Sequence, residues 1–196
     1  DFAYHGGIYR DVWMIAKSPV AITDAVEANK IAGGGVFVHF DGISEKSAKV
    51  FVDTEVKNSG KNSKTVTVET ALCDMNGKVL KVTLTNVGLK SGEARTVNQK
   101  FAVSNPHLWS PDTPYLYRVQ SKVRSGKQVL DGGITRIGIR KAEFKGKDGF
   151  WLNGKPFGQL VGANRHQDFA YVGNAVPNSQ HWRDAKRLRD AGCRII

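Results

Sequence analysis

The chain of 196 residues carries a formal net charge of +11, with 40% hydrophobic and 24% charged residues. That composition supplies enough apolar side chains for a core, and the length fits one large domain or two small ones. It argues against a membrane partner, because no apolar run approaches the roughly 20 residues that a spanning helix needs. No secretory signal peptide is visible either.

The positive charge raises nucleic acid as a partner, but its distribution argues against one. Lysines such as Lys46, Lys57 and Lys78 are spread along predicted strands, and the densest basic run, residues 183–189, falls on one predicted helix. Basic residues do not alternate with aromatic ones as they do in RNA-binding segments. We therefore expect no nucleic-acid partner.

Cys73 and Cys193 lie far apart in segments of different kinds, which predicts two free thiols. Neither belongs to a Cys-x-x-Cys pair or a Cys/His cluster, so we expect neither a metal nor another cofactor. The chain begins with Asp1 rather than Met and ends in a rising apolar run, so we expect an excised piece of a longer protein. Its compartment stays open, with periplasmic and extracellular locations both compatible.

The first predicted strand covers residues 8–15 and follows the flexible pair Gly6 and Gly7. Both of its faces carry apolar side chains, which predicts a strand covered on both sides at a domain boundary.

From residue 33 to residue 140, apolar side chains recur with a period of two. About seven such segments follow one another with almost no helical pattern, which predicts an antiparallel sandwich of the immunoglobulin type. The disulfide of antibody domains is missing. The predicted core faces are Val36, Val38 and Phe40; Val50, Val52 and Val56; Val66, Val68 and Leu72; Leu80, Val82 and Leu84; Val97, Phe101 and Val103; Tyr115, Tyr117, Val119 and Val123; and Ile137 and Ile139.

Turn residues separate these segments. The pair Asn76 and Gly77 predicts a type I′ hairpin, in which both central residues need positive φ. Residues 105–117 contain three prolines and predict a rigid extended crossover. We expect Leu108 and Trp109 in this crossover to plug one end of the sandwich.

The pattern changes after Arg140 to a β-loop-α-β unit. A hairpin around Asn153 and Gly154 precedes a short buried strand at Leu160 and Val161. Residues 179–191 predict a helix that Asn178 or Ser179 caps and Gly192 ends. Residues 193–196 begin another strand.

A polar cluster, residues 164–168, follows directly after the strand at Leu160 and Val161. In α/β folds, the carboxyl end of a strand is where ligands bind. Alternatively, these residues form a loop whose polar side chains satisfy each other and the backbone.

Four segments in this order closely resemble glycoside hydrolase family 2, the group of β-galactosidases, β-glucuronidases and β-mannosidases. Any one of them would be weak, but four in register are specific. The segments are Gly7-Ile8-Tyr9-Arg10-Asp11-Val12, Leu108-Trp109-Ser110-Pro111-Asp112-Thr113-Pro114-Tyr115-Leu116-Tyr117, Phe150-Trp151-Leu152-Asn153-Gly154-Lys155-Pro156 and Gly162-Ala163-Asn164-Arg165-His166-Gln167-Asp168.

The resemblance implies a mainly β chain with three parts. Residues 1–14 would end a sugar-binding jelly roll, residues 15–142 would form the immunoglobulin-like sandwich, and residues 143–196 would be the truncated start of a catalytic TIM (β/α)8 barrel. It also implies retaining hydrolysis of terminal β-linked sugars by two glutamates. Both would lie beyond Ile196, so the chain would contain no catalytic residue and would be inactive, with a carbohydrate as the substrate of the full-length enzyme.

The resemblance assigns substrate-site roles to three residues. Arg165 would support the catalytic carboxylates, Asp168 would contact the sugar, and His166 would hold the loop. Gln167 departs from the glutamate common in well-known β-galactosidases, which leaves the family assignment intact and the galactoside open.

Two expectations complete the interpretation. An isolated start of a barrel would leave strand edges unpaired, so we expect self-association of the fragment through this region or poor order in it. The alternative function is a non-catalytic immunoglobulin-like module that binds carbohydrate or protein, and it predicts an aromatic patch on the solvent face of the sandwich.

Overall fold

The computed structural model describes residues 6–196, which form two compact units. The sandwich unit comprises Ala16–Ala142 and Leu152–Lys155, and the second unit comprises residues 6–15, Glu143–Trp151 and Pro156–Ile196. Residues 1–5 of the predicted first part lie outside the described residues. The chain is mainly β, as the sequence predicts.

Eight strands form the sandwich unit as two antiparallel sheets, one strand more than the sequence suggests. In the first sheet, β3 pairs with each of the other three strands, and in the second the order is β5-β4-β7-β8. A short helix, α1 (Ala25–Ala28), begins at Asp24, whose carboxylate accepts from the Val26 and Glu27 amides. The strands are β1 (Val20–Ile22), β2 (Val36–Asp41), β3 (Ser47–Asn58), β4 (Lys64–Cys73), β5 (Val79–Leu89), β6 (Ala94–Ser104), β7 (Tyr117–Ser125) and β8 (Gln128–Ile137).

The core forms because the inward faces of the two sheets carry the apolar positions of the alternating pattern. Val50, Val52 and Val56 on β3 are 0% exposed, and so are Val68 on β4 and Val119 on β7. These facings confirm the prediction. The buried apolar side chains form two separate clusters, one around Val52 and Leu72 and the other around Val56 and Val68.

The crossover after β6 closes one end of the sandwich unit, as predicted. Leu108 packs against the core cluster, and the Trp109 amide donates to Ile139 O at 2.8 Å. A Cβ on Gly138 would lie 2.8 Å from the Trp109 ring, so only glycine fits there.

The hydroxyl oxygen of Tyr117 accepts a hydrogen bond from the His107 amide at 2.9 Å. This is the side-chain-to-backbone hydrogen bond of a tyrosine corner. Burial raises the pKa of Tyr117.

The predicted facing of β5 is wrong. Leu80, Val82 and Leu84 are 45%, 49% and 62% exposed, whereas Val87 and Leu89 of the same strand are buried. Successive side chains of a strand point to opposite faces. Burial of the odd-numbered Val87 and Leu89 therefore turns the even-numbered apolar residues toward solvent.

The hairpin at Asn76 and Gly77 also differs from the predicted type I′ turn. Only Gly77 has positive φ, at 91°, and its amide donates to Asp74 O at 3.1 Å. This is a three-residue loop with glycine in the left-handed position. Asp74 Oδ1 stabilises it by accepting the Asn76 and Lys78 amides. At the other predicted hairpin, Asn153 and Gly154 both have positive φ, as a type I′ turn requires.

Residues 8–15 form no strand among the described residues of the second unit, so that prediction is wrong. Trp13 and Met14 are 80% and 97% exposed. The alternating pattern is present, but no neighbouring strand offers its backbone partners, and a lone strand is not stable in water.

The described part of the second unit contains an α-helix, α2 (Asn178–Asp190), close to the predicted range. Its N-cap is Pro177, without a side-chain cap, rather than Asn178 or Ser179. Gly192 follows its end with φ of 91°, as expected of a glycine there. Three short strands, β9 (Ala142–Phe144), β10 (Phe150–Leu152) and β11 (Lys155–Pro156), make a small sheet in the order β11-β10-β9.

Among residues 6–196, no helix has both the length and the apolar character to cross a membrane. Cys73 is buried and Cys193 is half-buried, and both are free thiols, as predicted. Burial raises the pKa of the Cys73 thiol.

A buried charge should separate inward from outward positions of the sandwich unit. Val52→Asp or Val68→Asp should lower the free energy of unfolding by about 3 kcal/mol or more, because an unpaired carboxylate in the core is expensive. Val82→Asp, on the solvent face of β5, is the matched control and should change it by less than about 1 kcal/mol. Urea denaturation measures all three, and equal losses in all three would contradict the assigned faces.

Candidate functional site

The polar segment 164–168 begins where two chain segments meet in parallel. Gly162 forms a parallel bridge with Ile195, and the Arg194 amide donates to Val161 O at 2.7 Å. A Cβ on Gly162 would lie 2.3 Å from Ile195 Cγ2 and 2.6 Å from Ile195 O, so this approach requires glycine. The two predicted strands are thus reduced to one bridge, with α2 between them.

Arg165 is fixed by an ion pair to α2. Its Nε and Nη2 donate to Asp184 Oδ2 at 3.0 and 2.5 Å, and both side chains are about four-fifths buried, with 19% and 23% exposed. The other Asp184 oxygen accepts from Gln180 Nε2 at 2.8 Å. The hydrogen bond from Arg165 holds the pKa of Asp184 below its ordinary value.

His181 lies between two arginines. Its Nδ1 is 3.0 Å from Arg165 Nη1, and its Nε2 is 3.0 Å from Arg10 Nη2. A neutral imidazole has one acceptor nitrogen, and a guanidinium only donates. One tautomer therefore accepts from Arg165 and the other from Arg10, and a protonated ring would accept from neither. Arg10 is also anchored by donating to Val176 O at 3.1 Å.

We call these five side chains the Arg165 network: Arg10, Arg165, Gln180, His181 and Asp184. Sequence analysis identified Arg165 but missed the other four. One signal was available, because Asp184 follows Gln180 by four residues and His181 by three, the two spacings that bring side chains together on a helix surface. The contact with Arg10 spans 171 positions and leaves no local signal.

His166 and Asp168 stand apart from this network. Both are exposed, and neither side chain has a hydrogen-bond or ion-pair partner among the residues that the structure describes. A tight turn follows them, in which the Phe169 amide donates to Gly173 O at 3.1 Å and the Gly173 amide to Phe169 O at 2.9 Å. Of the three predicted site residues, only Arg165 is held by side chains within residues 6–196.

Glutamates of the sandwich unit pair with basic side chains. Glu69 contacts Arg124 at 2.8 Å, and Glu45 contacts Lys155 at 2.9 Å. Glu55, 3% exposed, pairs with Lys30, and that hydrogen bond lowers the pKa of Glu55. Within residues 6–196, no group of three or more His, Cys, Asp or Glu side chains is placed to hold a metal ion.

Comparison with known proteins identifies relatives along the whole chain. The family model described as Glycosyl hydrolases family 2 matches residues 30–140. A β-glucuronidase of Formosa agariphila is 36% identical over 98% of this chain. A β-galactosidase of Thermoanaerobacter pseudethanolicus is 31% identical over 96% of it. The chain spans only 20% and 23% of the lengths of these two relatives.

A solved structure shares the fold. Bacteroides uniformis β-glucuronidase 2, covalently bound to cyclophellitol-6-carboxylate aziridine, matches with a TM-score of 0.86 and 33% identity. The match covers 100% of this chain and 23% of that one.

Removing the Asp184 charge should loosen the loop in a pH-dependent way. The pKa of Asp184 is lower in the folded chain, so the ion pair contributes its full stabilisation above the ordinary carboxyl pKa of about 3.9. That stabilisation is lost as the pH falls through the lower pKa of the folded chain. Asp184→Asn should therefore speed amide exchange of Arg194 at pH 7, and the difference from the parent should vanish in acid.

Asp190→Asn is the control for this experiment. Asp190 pairs with Lys186 on the same helix, with both side chains more than half exposed, and such pairs contribute little. Exchange at Arg194 that is as slow in Asp184→Asn as in Asp190→Asn would contradict a structural role for the network.

Proposed function

Because the chain belongs to glycosyl hydrolases family 2, we propose that it is part of a retaining β-glycosidase that removes terminal β-linked sugars from glycans. The observation that carries this proposal is the match of the family model to residues 30–140. Relatives named β-glucuronidase and β-galactosidase support it along nearly the whole chain. Because the chain covers about a fifth of those relatives, the proposed activity belongs to a longer protein.

The proposed domain organisation assigns residues 1–14 to the end of a jelly roll, residues 15–142 to the immunoglobulin-like sandwich and residues 143–196 to the start of a TIM barrel. The limits of the sandwich unit, Ala16 and Ala142, support the middle assignment. The parallel bridge at Gly162 with α2 in its connection supports the last. Strand, helix and parallel strand is the repeating unit of such barrels.

The proposed chemistry needs two carboxyl groups about 5 Å apart, one as nucleophile and one as acid/base. Neither is assigned to this chain. Its contribution is to position the substrate, and Asp168 is the proposed contact, because a carboxylate accepts two hydroxyl groups of a sugar at once. No described residue donates a side-chain hydrogen bond to the Asp168 oxygens.

Arg165 has a different proposed role. A guanidinium has five N–H groups, and three of its nitrogens already face Asp184 and His181. The remaining N–H groups can support a carboxylate brought by a later barrel strand, while the Arg165 network keeps the guanidinium fixed. His166 is proposed to hold the loop in the complete site.

The alternative, a non-catalytic binding module, predicts an aromatic patch on the sandwich. Phe37, His39 and Phe51 do lie on the outward face of the first sheet. However, the His39 ring stacks on Phe51 at 4.9 Å and on Phe37 at 5.6 Å. A sugar packs on a free ring face, and here the faces are turned toward one another. We therefore retain the enzyme proposal.

The 196-residue chain alone should hydrolyse no β-glycoside, because the proposed nucleophile and acid/base are supplied by a longer protein. Chromogenic galactoside, glucuronide and mannoside substrates measure this, with a full-length relative as positive control. Turnover above background by the pure chain would contradict the assignment of chemistry to later strands.

The same sample should self-associate through the second unit. Val161, Trp182 and Ile196 are 51%, 69% and 63% exposed there, and such apolar side chains near unpaired backbone favour association. Sedimentation over a range of concentrations should show a rising mean mass, and a strictly monomeric chain would exclude this.

Asp168→Ala in the full-length enzyme should lower kcat/KM by at least about tenfold, since contacts to sugar hydroxyls strengthen in the transition state. Asp190→Ala, which removes an exposed carboxylate of α2, is the matched control and should leave kcat/KM within about twofold. Parental kinetics in Asp168→Ala would refute its proposed contact with the sugar.

A further inference from the structure

One inward row of the second sheet contains no large apolar side chain. Thr70 of β4 lies directly opposite Thr83 of β5 on one side and Ser121 of β7 on the other. Ser121 in turn lies opposite Gly133 of β8. We call these four residues the polar row. On the two central strands, β4 and β7, the rows on either side are apolar, with Val68 and Val123 in one and Leu72 and Val119 in the other.

On the second sheet, the polar row lies between the two hydrophobic clusters of the sandwich unit, and Val36 of the first sheet packs against both. Leu72 and Val119 belong to one cluster, and Val68 and Val123 belong to the other. A continuous apolar core would be expected where two sheets face each other. Here both clusters end at hydroxyl groups.

The first sheet places two more polar side chains in the same interior. Gln99 of β6 reaches across to the second sheet, where its Nε2 donates to Val68 O at 3.1 Å and Thr85 Oγ1 at 3.0 Å. Thr54 of β3 is 0% exposed. On β3 and β6, Val52 lies opposite Gln99, and Thr54 is the next inward residue after Val52.

Four polar atoms in this interior have no hydrogen-bond partner among the described protein atoms. They are Thr54 Oγ1, Thr70 Oγ1, Ser121 Oγ and Gln99 Oε1, and their residues are 0%, 0%, 1% and 5% exposed. A buried polar group left unpaired loses its solvation without compensation, so native proteins almost always pair such groups with protein or ordered water. Four unpaired polar atoms in one layer of the interior therefore indicate a shared hydrogen-bond partner.

The edge of the second sheet offers solvent a route to the polar row. Gly133 is exposed at the end of the polar row, and a Cβ built on it would meet no atom within 4 Å. Any other residue would project a side chain over this end of the row. Its neighbour Gly132 is glycine for another reason, since a Cβ there would lie 2.8 Å from Ser121 O.

We propose that the polar row is a binding site for ordered water, which enters beside Gly133 and bridges the two sheets. Water donates and accepts, so it can donate to Gln99 Oε1 and exchange hydrogen bonds with the hydroxyls of Ser121, Thr70 and Thr54. A buried water needs two to four polar partners, and this interior supplies four. The sandwich unit is thus held at its centre by a hydrated layer between two apolar clusters.

Replacing a hydroxyl by a methyl group tests the site on the chain itself. Thr70→Val keeps the shape of the side chain but removes one partner of the bound water, so the urea midpoint of unfolding should fall. Ser121→Ala should act in the same direction. Thr65→Val, on the exposed face of the same strand, is the control for the higher strand preference of valine. A midpoint of Thr70→Val equal to or above that of the control would overturn the proposal, because an unpartnered hydroxyl is better replaced by an apolar group.

Nuclear Overhauser effects between water and the amide protons of Thr70 and Ser121 provide an independent readout. We expect contacts of the sign that indicates water resident for longer than a nanosecond, and their loss in Thr70→Val combined with Ser121→Ala. Their absence from the parent chain would overturn the proposal even if both substitutions destabilise, because the hydroxyls would then be bonded directly to each other.

Discussion

The inward face of β3 is the surface on which the sandwich unit depends. Every second residue from Val50 to Asn58 is at most 1% exposed, although the backbone of β3 pairs only with strands of the first sheet. Removing one such valine from water is worth about 1.5–3 kcal/mol, so this strand alone rivals the net stability of a domain. The second sheet, with β4 and β7 at its centre, covers this face.

Strand facing was predictable wherever a strand has one apolar phase. The alternation of β3, β4 and β7 has a single phase, and the structure buries the predicted side. In β5 the apolar residues change phase between Leu84 and Val87, so the sequence offers two facings. The facing of β5 depends on which half of the strand covers the core, and Val87 and Leu89 in its second half belong to a core cluster. That information is tertiary and absent from a period-two pattern.

The candidate site was predictable only as far as its own segment. The polar residues after Val161 marked the loop, but the partners of Arg165 come from α2 and from Arg10, far away in sequence. Residues 8–15 illustrate the converse error, because their alternating pattern predicts a strand that finds no partner strand among the residues described by the structure. A pattern reports which side chains are apolar, while pairing depends on what the fold brings alongside.

The contrast between Asp184 and Asp168 explains why we propose substrate contact for Asp168 and a supporting role for Asp184. Asp184 already accepts from Arg165 and Gln180, so a sugar hydroxyl would have to compete with the charged guanidinium of Arg165, a stronger donor than itself. Asp168 would exchange only water for the hydroxyl, a near-even exchange that leaves no protein group unpaired. A loop that fixes its arginine and leaves its carboxylate free can therefore bind a polyhydroxylated ligand without first breaking its own structure.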